Sequence, residues 1–353
     1  MSNRKIWLIA DTHFGLKGDD QEWLDDYAGY FEDVLIPMMK KEVGKDDILI
    51  HCGDVFDNRT ILGLNTITRV ISIFEKLSSI FNDIRITVGN HDMMRKSSTE
   101  QTSVNMLKYI PHIKIYYEPT VEVIDGKTIL FNPWIEDPEK EREILDGVNV
   151  DYIFGHLEIG GSQVASRTGV KNSLTGGVKR SDFKDAQVYA GHIHIKQDYK
   201  NIHYVGNPYH KDRGDRDNDK GITILDLKTG ETQFIENTVS PRFMKENIYD
   251  LLYNTVGELK ERWRNNRIEL HMKSNDRQKC NFGDLCSALD NCYRSFETEG
   301  DDVLNEMDTS GEIKFTDAKS SDDYMDDFLK NQDLPEDMMK SIKEKLMEYK
   351  DRI

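Results

Sequence analysis

Residues 6–13 read IWLIADTH, a short apolar run that ends abruptly in polar side chains. The same design recurs at residues 48–57, ILIHCGDVFD, and again at residues 84–92, IRITVGNHD. Two segments with helical periodicity, Gln21–Lys41 and Asn65–Phe81, lie between these runs. The order β-α-β-α-β indicates an α/β domain in which helices cover a sheet.

The strand pattern continues to about residue 240, and the second half of this region is richer in strands than the first. Short runs rich in Ile, Val and Tyr are bounded by Gly, Asp or Asn, as strands usually are. The predicted strands are Ile6–Ala10, Ile48–His51, Ile84–Val88, Thr128–Phe131, Tyr152–Phe154, Gln187–Ala190, Ile202–Val205 and Ile222–Leu225.

Polar side chains follow five of these strands, and ligand sites in α/β sheets gather at the carboxyl ends of strands. The polar residues are Asp11 and His13, Asp54 and Asp57, Asn90 to Asp92, His156, and His192 and His194. A Ser-His-Asp triad would not need so many carboxylates and imidazoles. Mixed oxygen and nitrogen donors suit Mn²⁺, Fe²⁺ or Zn²⁺, so the pattern predicts a two-metal centre that acts on a phosphate ester.

The motifs D-x-H, G-D-x-x-D, G-N-H-D, G-H and G-H-x-H, in this order, resemble the calcineurin-like metallophosphoesterase superfamily over residues 5–235. Within that superfamily the chain is most similar to SbcD-type DNA repair nucleases. The similarity lies in DTHFG (residues 11–15), GDVFD (53–57), YVGNP (204–208) and DKGITILD (219–226), although Asn207 stands where that family usually has Ser. The compact length looks more like the recombination nucleases of T-even-type phages than the longer cellular proteins.

The resemblance implies a four-layer α-β-β-α sandwich with a small C-terminal α+β capping region and a helical tail. It also implies a set of metal ligands, with Mn²⁺ as the expected metal and Mg²⁺ as the alternative. These ligands are Asp11, His13 and His194 for one ion and Asn90, His156 and His192 for the other, with Asp54 bridging both.

Further roles follow from the same resemblance. His91 is expected to contact the scissile phosphate rather than a metal, with Asp92 orienting its ring. A hydroxide that bridges the two ions is expected to be the nucleophile, so no covalent enzyme intermediate should form. His51 is expected in the core or behind the ligands, and Asp57 is expected to support its own loop.

The chain changes character after residue 240, and we divide it into a nuclease domain (1–240), a capping and DNA-contact region (241–296), a flexible acidic connector (297–333) and a helix (334–353). Residues 260–279 carry seven basic and three acidic side chains. The candidate DNA contacts there are Arg262, Arg264, Arg267 and Lys273, and a solvated helix face is an equally open alternative. In SbcD-type nucleases, C-terminal helices bind the coiled-coil base of an SMC-like, SbcC-type ATPase, so the resemblance implies that partner for residues 334–353. Docking of this helix on its own domain is the alternative.

Composition restricts the setting of the protein. The net charge of −17 argues against coating DNA with a basic surface, but not against an enzyme whose phosphate affinity comes from metal ions. No run is long and apolar enough for a membrane span, and the N-terminal run is too short for a secretory signal. The four cysteines form no C-x-x-C pattern. We therefore expect a cytoplasmic protein without a membrane partner, in the host cytoplasm if a phage encodes it.

The leading functional hypothesis is a Mn²⁺-dependent DNA nuclease, with double-strand exonuclease and single-strand endonuclease activity, that works with an SMC-like ATPase in recombination or repair. Related nucleases often dimerise, so a homodimer is included among the expected assemblies. The first alternative is a generic or cyclic-nucleotide phosphodiesterase of the same superfamily. The second is a catalytically dead scaffold, which is disfavoured because every ligand position is filled.

Overall fold

The structure is a computed structural model that describes residues 4–95, 98–165, 171–247, 254–273 and 293–299. Its strands are β1 (Lys5–Ile9), β2 (Ile48–His51), β3 (Ile84–Thr87), β4 (Met93–Arg95), β5 (Ser98–Thr102), β6 (Ile113–Tyr116), β7 (Thr120–Ile124), β8 (Lys127–Asn132), β9 (Tyr152–His156), β10 (Gln163–Ala165), β11 (Lys171–Ser173), β12 (Gln187–Gly191), β13 (Gln197–Tyr199), β14 (Ile202–Tyr204), β15 (Gly221–Asp226), β16 (Thr232–Glu236), β17 (Phe243–Asn247), β18 (Arg267–Lys273) and β19 (Tyr293–Glu299). Each predicted strand is present, with ends that agree to within two residues.

The helices of the described residues cover both predicted segments, Gln21–Lys41 and Asn65–Phe81, and three further segments that were not predicted. They are α1 (Leu16–Asp19), α2 (Gln21–Gly29), α3 (Ile36–Glu42), α4 (Leu64–Ser78), α5 (Pro138–Gly147) and α6 (Val256–Trp263), with 3₁₀ turns at Ser103–Leu107, Arg180–Phe183 and Arg213–Asp215. The predicted helix Gln21–Lys41 is interrupted by a π-helical turn at Tyr30–Leu35. Pro37, in the first turn of α3, has no N–H to donate to the preceding turn, which agrees with the widened backbone there.

Two six-stranded sheets dominate the described residues. The first has the order β16-β15-β1-β2-β3-β6, in which β1, β2, β3 and β6 are parallel and β15 joins antiparallel. The second has the order β13-β14-β12-β9-β8-β7, with a parallel centre and antiparallel strands at both edges. Parallel strands place their carboxyl ends at one edge of a sheet, which is what a shared site requires.

The fold has four layers, helix, sheet, sheet and helix, and a hydrophobic core lies between each pair of neighbouring layers. Alternate residues of β1 face opposite ways: Ile6 and Leu8 pack between the two sheets, against Phe131 and Phe154 of the second sheet. Trp7 and Ile9 point to the other side and pack with the helices α2, α3 and α4. On the outer face of the second sheet, residues such as Ile153 and Val188 pack with α5 and the Arg180–Phe183 turn. The predicted α-β-β-α sandwich is therefore confirmed.

A small third sheet, β17-β18-β19, accompanies α6 after residue 240. Thr255 caps α6, because its side chain accepts the Glu258 N–H and the Glu258 side chain accepts the Thr255 N–H. The predicted connector and ATPase-binding helix, residues 297–333 and 334–353, lie outside the described residues except for positions 297–299, so both stay predictions. Among the described residues, no helix has the length and apolar character needed to cross a bilayer.

Candidate metal centre

The five polar segments predicted from the sequence meet where strands of both sheets end. The loops after β1 and β2 continue the strand pairing past the sheet: the Asp11 N–H donates to the Gly53 carbonyl at 3.0 Å, and the His13 N–H donates to the Asp54 carbonyl at 3.1 Å. The Asp11 carboxylate in turn accepts the His192 N–H at 3.0 Å, which ties the first sheet to the loop after β12. Main-chain hydrogen bonds thus hold the ligand loops in place.

The backbone around these loops is crowded and partly strained. Asp11, His13, Asp54 and His192 all have positive φ, between 44° and 88°, a region that residues other than glycine adopt at a cost. A Cβ on Gly53 would lie 2.5 Å from His156 Nδ1, and a Cβ on Gly89 would lie 2.2 Å from the Asp54 nitrogen. Only glycine fits at these two positions. Strain of this kind persists where a site requires it.

One group of donors consists of Asp11, His13 and His194, whose candidate ligand atoms all lie within 4.8 Å of one another. The Nε2 atoms of His13 and His194 are 3.1 Å apart. Asp11 is fully buried and His13 almost so, and they follow the same strand, β1. The structure therefore brings together the three residues expected to bind one ion.

A second group consists of Asn90, His156 and His192. The Asn90 Oδ1 lies 2.9 Å from His156 Nε2 and 3.0 Å from His192 Nδ1. Asp54 stands between the two groups, because its Oδ2 is 3.3 Å from His156 Nε2 and 3.7 Å from His13 Nε2. All seven side chains predicted as metal ligands are thus at one place, and their binding of metal stays a prediction.

Burial and neighbouring charges give these groups unusual pKa values. Burial raises the pKa of Asp11 to about 7. Burial and the Lys211 ammonium lower the pKa of His13 to about 4 and hold the pKa of His194 well below its ordinary value. His13 and His194 are therefore neutral at pH 7, with nitrogen lone pairs to offer.

Asp54 and His156 shift in the opposite sense, against their burial. The charge of His156 holds the pKa of Asp54 well below its ordinary value, and Asp54 raises the pKa of His156 to about 9. The His156 Nδ1 donates to the Cys52 carbonyl at 2.9 Å, so its Nε2 is the nitrogen that faces the other donors. A cation bound here would have to displace the proton from Nε2.

The geometry around His91 corrects one expectation. The ring is oriented by the loop after β2, because His91 Nδ1 lies 2.7 Å from the Asp57 carbonyl oxygen. The Asp92 carboxylate is buried and accepts two main-chain N–H groups, from Phe56 at 3.1 Å and from Gly89 at 3.0 Å. The prediction that Asp92 orients the His91 ring is wrong, since Asp92 instead ties the loops after β2 and β3 together.

Further side chains contact the predicted ligands or the segments that carry them. His51 is buried and its Nε2 lies 3.0 Å from the Thr12 hydroxyl, behind the D-x-H segment as expected. His192 is flanked by Glu158, whose Oε2 lies 3.6 Å from His192 Nε2, and by the Trp134 ring at a centroid distance of 4.7 Å. Glu158 was missed in the sequence, although it comes only two residues after His156.

Lys211 was also missed, because it lies in a run of alternating charges without a recognisable motif. Its Nζ is 3.3 Å from His13 Nε2 and 3.6 Å from Asp57 Oδ1. The Oδ1 atom of the same Asp57 lies 3.1 Å from His13 Nδ1, so the Asp57 carboxylate contacts a predicted metal ligand. Support of its own loop by the Asp57 side chain stays a prediction.

The predicted DNA contacts of the C-terminal region differ in their exposure to solvent. Arg267 is only 2% exposed, its guanidinium lies 3.6 Å from the centroid of Trp23, and it donates to Asp26 at 2.6 Å. The prediction of a DNA contact at Arg267 is therefore wrong, because this side chain fastens the third sheet to α2. Arg262 pairs with Glu246 at 2.5 Å, and Arg264 is exposed. The side chain of Lys273 lies outside the described residues, so its role stays a prediction.

The donor set fits divalent cations. It combines two carboxylates, one amide oxygen and four imidazoles, and this mixture suits Mn²⁺, Fe²⁺ or Zn²⁺ better than Ca²⁺. The Nε2 atoms of the neutral His13 and His194 rings lie 3.1 Å apart. A cation bound to both nitrogens would remove the repulsion between their lone pairs. Asp54 belongs to two of the donor groups, one with His13 and one with His156. A carboxylate in this position can bridge two neighbouring ions.

The chain matches one protein-family model and one curated relative. The model of the calcineurin-like phosphoesterase family matches residues 4–196 of the chain. The chain is 28% identical over 246 residues to exonuclease subunit 1 of Enterobacteria phage T4, a match that covers 67% of this chain and 68% of that protein.

Two solved structures also match the chain weakly. An archaeal phosphodiesterase is 18% identical with a TM-score of 0.36, over 66% of this chain and 99% of its own. The phosphopantetheinyl hydrolase of Mycobacterium tuberculosis is 14% identical with a TM-score of 0.33, over 58% of this chain and 90% of its own.

Proposed function

The chain belongs to the calcineurin-like phosphoesterase family, and from this premise we propose that it is a DNA nuclease that hydrolyses phosphodiester bonds with two divalent metal ions. One observation carries the proposal. Asp54 and six further oxygen and nitrogen donors from both sheets lie together, and the His91 imidazole is close to both His13 and Asp54. Membership of the family indicates the class of reaction, and the donor side chains would bind the two metal ions.

Bound metal ions would supply Lewis-acid charge on the phosphate oxygens and an acidified water as nucleophile. The residues of the chain do the rest. His91 Nδ1 faces the Asp57 carbonyl and so holds a proton there, which leaves Nε2 toward the substrate; in the imidazolium form, Nε2 would give its proton to the leaving oxygen and the ring would return to the neutral Nδ1–H form. Asp92 fixes the loop that carries His91 through its hydrogen bond to the Gly89 N–H.

DNA is the proposed substrate because the similarity to a phage exonuclease subunit extends over two-thirds of the chain. The region of similarity, 246 residues, is longer than the match to the family model at residues 4–196. A generic or cyclic-nucleotide phosphodiesterase would use the same metal centre on a smaller substrate.

Mn²⁺ is the proposed metal. Four imidazoles are more nitrogen ligands than Mg²⁺ ordinarily accepts, since Mg²⁺ prefers oxygen donors and retains several waters. Activity with Mn²⁺ that exceeds activity with Mg²⁺ at equal concentration supports this choice, and the reverse order contradicts it.

We propose an SMC-like ATPase as the partner, acting with this nuclease in recombination or repair and bound through residues 334–353. Two facts support a partner: the similar phage protein is named as a subunit, and the net charge of −17 leaves much of the DNA binding to another chain. Deletion of residues 334–353 should abolish co-purification with the ATPase and spare hydrolysis of a small diester. Unchanged co-purification would refute this assignment. Arg262, Arg264 and Lys273 stay proposed DNA contacts.

The test of the proposed function is degradation of end-labelled linear duplex DNA in Mn²⁺, with closed circular duplex and the His91→Ala variant as controls. Loss of the linear form alone, abolished in His91→Ala, supports an end-dependent nuclease. Hydrolysis of bis(p-nitrophenyl) phosphate without cleavage of any DNA would instead favour the smaller-substrate phosphodiesterase.

A further inference from the structure

The segment between β14 and β15, residues 205–220, is held next to the candidate metal centre by several contacts. The Tyr209 hydroxyl donates to the Thr12 carbonyl, within the D-x-H segment. The Tyr27 hydroxyl donates to the His210 carbonyl at 2.9 Å, and the Tyr27 and Tyr209 rings stack with centroids 3.6 Å apart. The next residue, Lys211, therefore starts from a fixed main chain.

The buried ion pair between Lys220 and Asp215 also fixes the main chain of Lys211. The Lys220 ammonium is buried and donates to the His194 carbonyl at 2.7 Å, and to Asn207 Oδ1 and Asp215 Oδ1 at 2.5 Å each. The second oxygen of Asp215 accepts the Lys211 N–H at 2.7 Å. One network thus positions a predicted metal ligand, His194, and the main chain of Lys211. Asn207, which replaces the usual Ser of SbcD-type nucleases, provides an acceptor in this network.

The Lys211 side chain reaches from this loop into the donor cluster. Its Nζ lies 3.3 Å from His13 Nε2 and 3.6 Å from Asp57 Oδ1, and 14% of the side chain is exposed. An ammonium has three N–H donors and no acceptor. When His13 gives its Nε2 lone pair to a cation, the ammonium loses that acceptor and keeps, among the residues that the structure describes, the longer contact to Asp57. It then needs another anionic partner.

We propose that the Lys211 ammonium binds a non-bridging oxygen of the substrate phosphate beside the metal centre. This inference rests on the proposed function only in requiring a phosphate ester as substrate, and it does not require DNA. A lysine suits the role because it is a compact charge on a flexible stem, so it can follow the phosphate while its main chain stays fixed. A purely structural ion pair between Lys211 and Asp57 is the competing explanation.

The test is isothermal titration of Mn²⁺-loaded protein with inorganic phosphate, which reports binding without turnover. Lys211→Met should weaken phosphate binding on the order of 10-fold or more, as expected for loss of one charged hydrogen bond, while Mn²⁺ binding stays at the wild-type stoichiometry. Lys211→Arg should restore part of the phosphate affinity. The matched control is Lys114→Met in β6, which removes the same charge from a surface pair with Glu122 of β7, and it should bind phosphate as the wild type does.

Several outcomes would overturn the assignment. They are unchanged phosphate affinity in Lys211→Met, an equal loss in Lys114→Met, no phosphate binding by the wild type, or loss of Mn²⁺ together with phosphate in Lys211→Met. The result is separable from the proposed function. If the wild-type chain cleaves no DNA but binds phosphate through Lys211, the proposed nuclease function is refuted and the proposed role of Lys211 is retained. DNA cleavage with unchanged phosphate binding in Lys211→Met does the opposite.

Discussion

Replacing Gly89 with alanine should disable the metal centre through crowding alone. The new Cβ would lie 2.2 Å from the Asp54 nitrogen and 2.3 Å from its Oδ1. Real contacts of this kind are about 3 Å or more, so one of the two loops has to move by close to 1 Å. Asp54 stands between both donor groups, and therefore the displacement affects the sites of both ions.

The expected magnitude follows from this displacement. Overpacking of a tight contact costs about 1–3 kcal/mol of folding free energy. A misplacement of ~1 Å at a catalytic centre lowers turnover by roughly 10²-fold. Urea unfolding of the metal-free protein should report the first effect, and Mn²⁺ titration with hydrolysis of bis(p-nitrophenyl) phosphate should report the second.

The matched control is Gly147→Ala at the end of α5, where an added Cβ meets no atom within 4 Å. That variant should keep wild-type metal affinity and turnover. If Gly89→Ala binds Mn²⁺ and turns over like Gly147→Ala, the close packing of Gly89 on Asp54 is not a feature of the active protein, and the reasoning from it fails.

Three other changes should have distinct effects. His91→Ala should bind both metals normally and lose about 10²–10⁴-fold in turnover, because the proposed general acid is removed while the proposed metal ligands remain. Glu158→Ala should weaken Mn²⁺ binding by about 10–100-fold, measured by titration calorimetry, because the carboxylate 3.6 Å from His192 Nε2 no longer orients that ring. Burial lowers the pKa of His210 to about 4, below its ordinary value, so the folded state disfavours the proton. Its contribution to stability is complete above about pH 6.5 and is lost as the pH falls toward 4, by about 3 kcal/mol in total; His210→Gln should flatten that part of the urea-unfolding profile.

Each of these three changes has its own contrary result. Metal loss in His91→Ala would make His91 a ligand. Wild-type Mn²⁺ affinity in Glu158→Ala would leave Glu158 without a role at the centre, whereas recovery in Glu158→Gln would support orientation through the remaining oxygen. An identical pH profile in wild type and His210→Gln would mean that His210 takes up its proton equally in the folded and unfolded states.

The parallel core of both sheets could be predicted from sequence, because runs such as Ile48–His51 and Gln187–Gly191 are apolar on both faces and end in a glycine and a ligand. The edge strands were harder. In β7, the burial pattern alternates and Val123 is 70% exposed, so the strand lacks the continuous apolar run that marks a central one. Its place is decided by pairing with β8, which sequence periodicity does not report.

The candidate ligands were predictable because each stands beside a strand end in a short motif. Their supports were not, since those contacts join distant parts of the chain. Asp57 orients His91 through a main-chain carbonyl, an atom that every residue possesses. Lys211 reaches His13 across 198 positions of sequence. Arg267 looked like one of several exposed bases, and only the packing of β18 against α2 buries it on Trp23.

Anomalous diffraction at the manganese edge, from crystals of the chain grown with Mn²⁺, tests the central claim most directly. The predicted result is two peaks on either side of the Asp54 carboxylate, one contacted by Asp11, His13 and His194 and the other by Asn90, His156 and His192. Peaks at other residues, or no peak within reach of Asp54, would contradict the two-metal phosphoesterase centre.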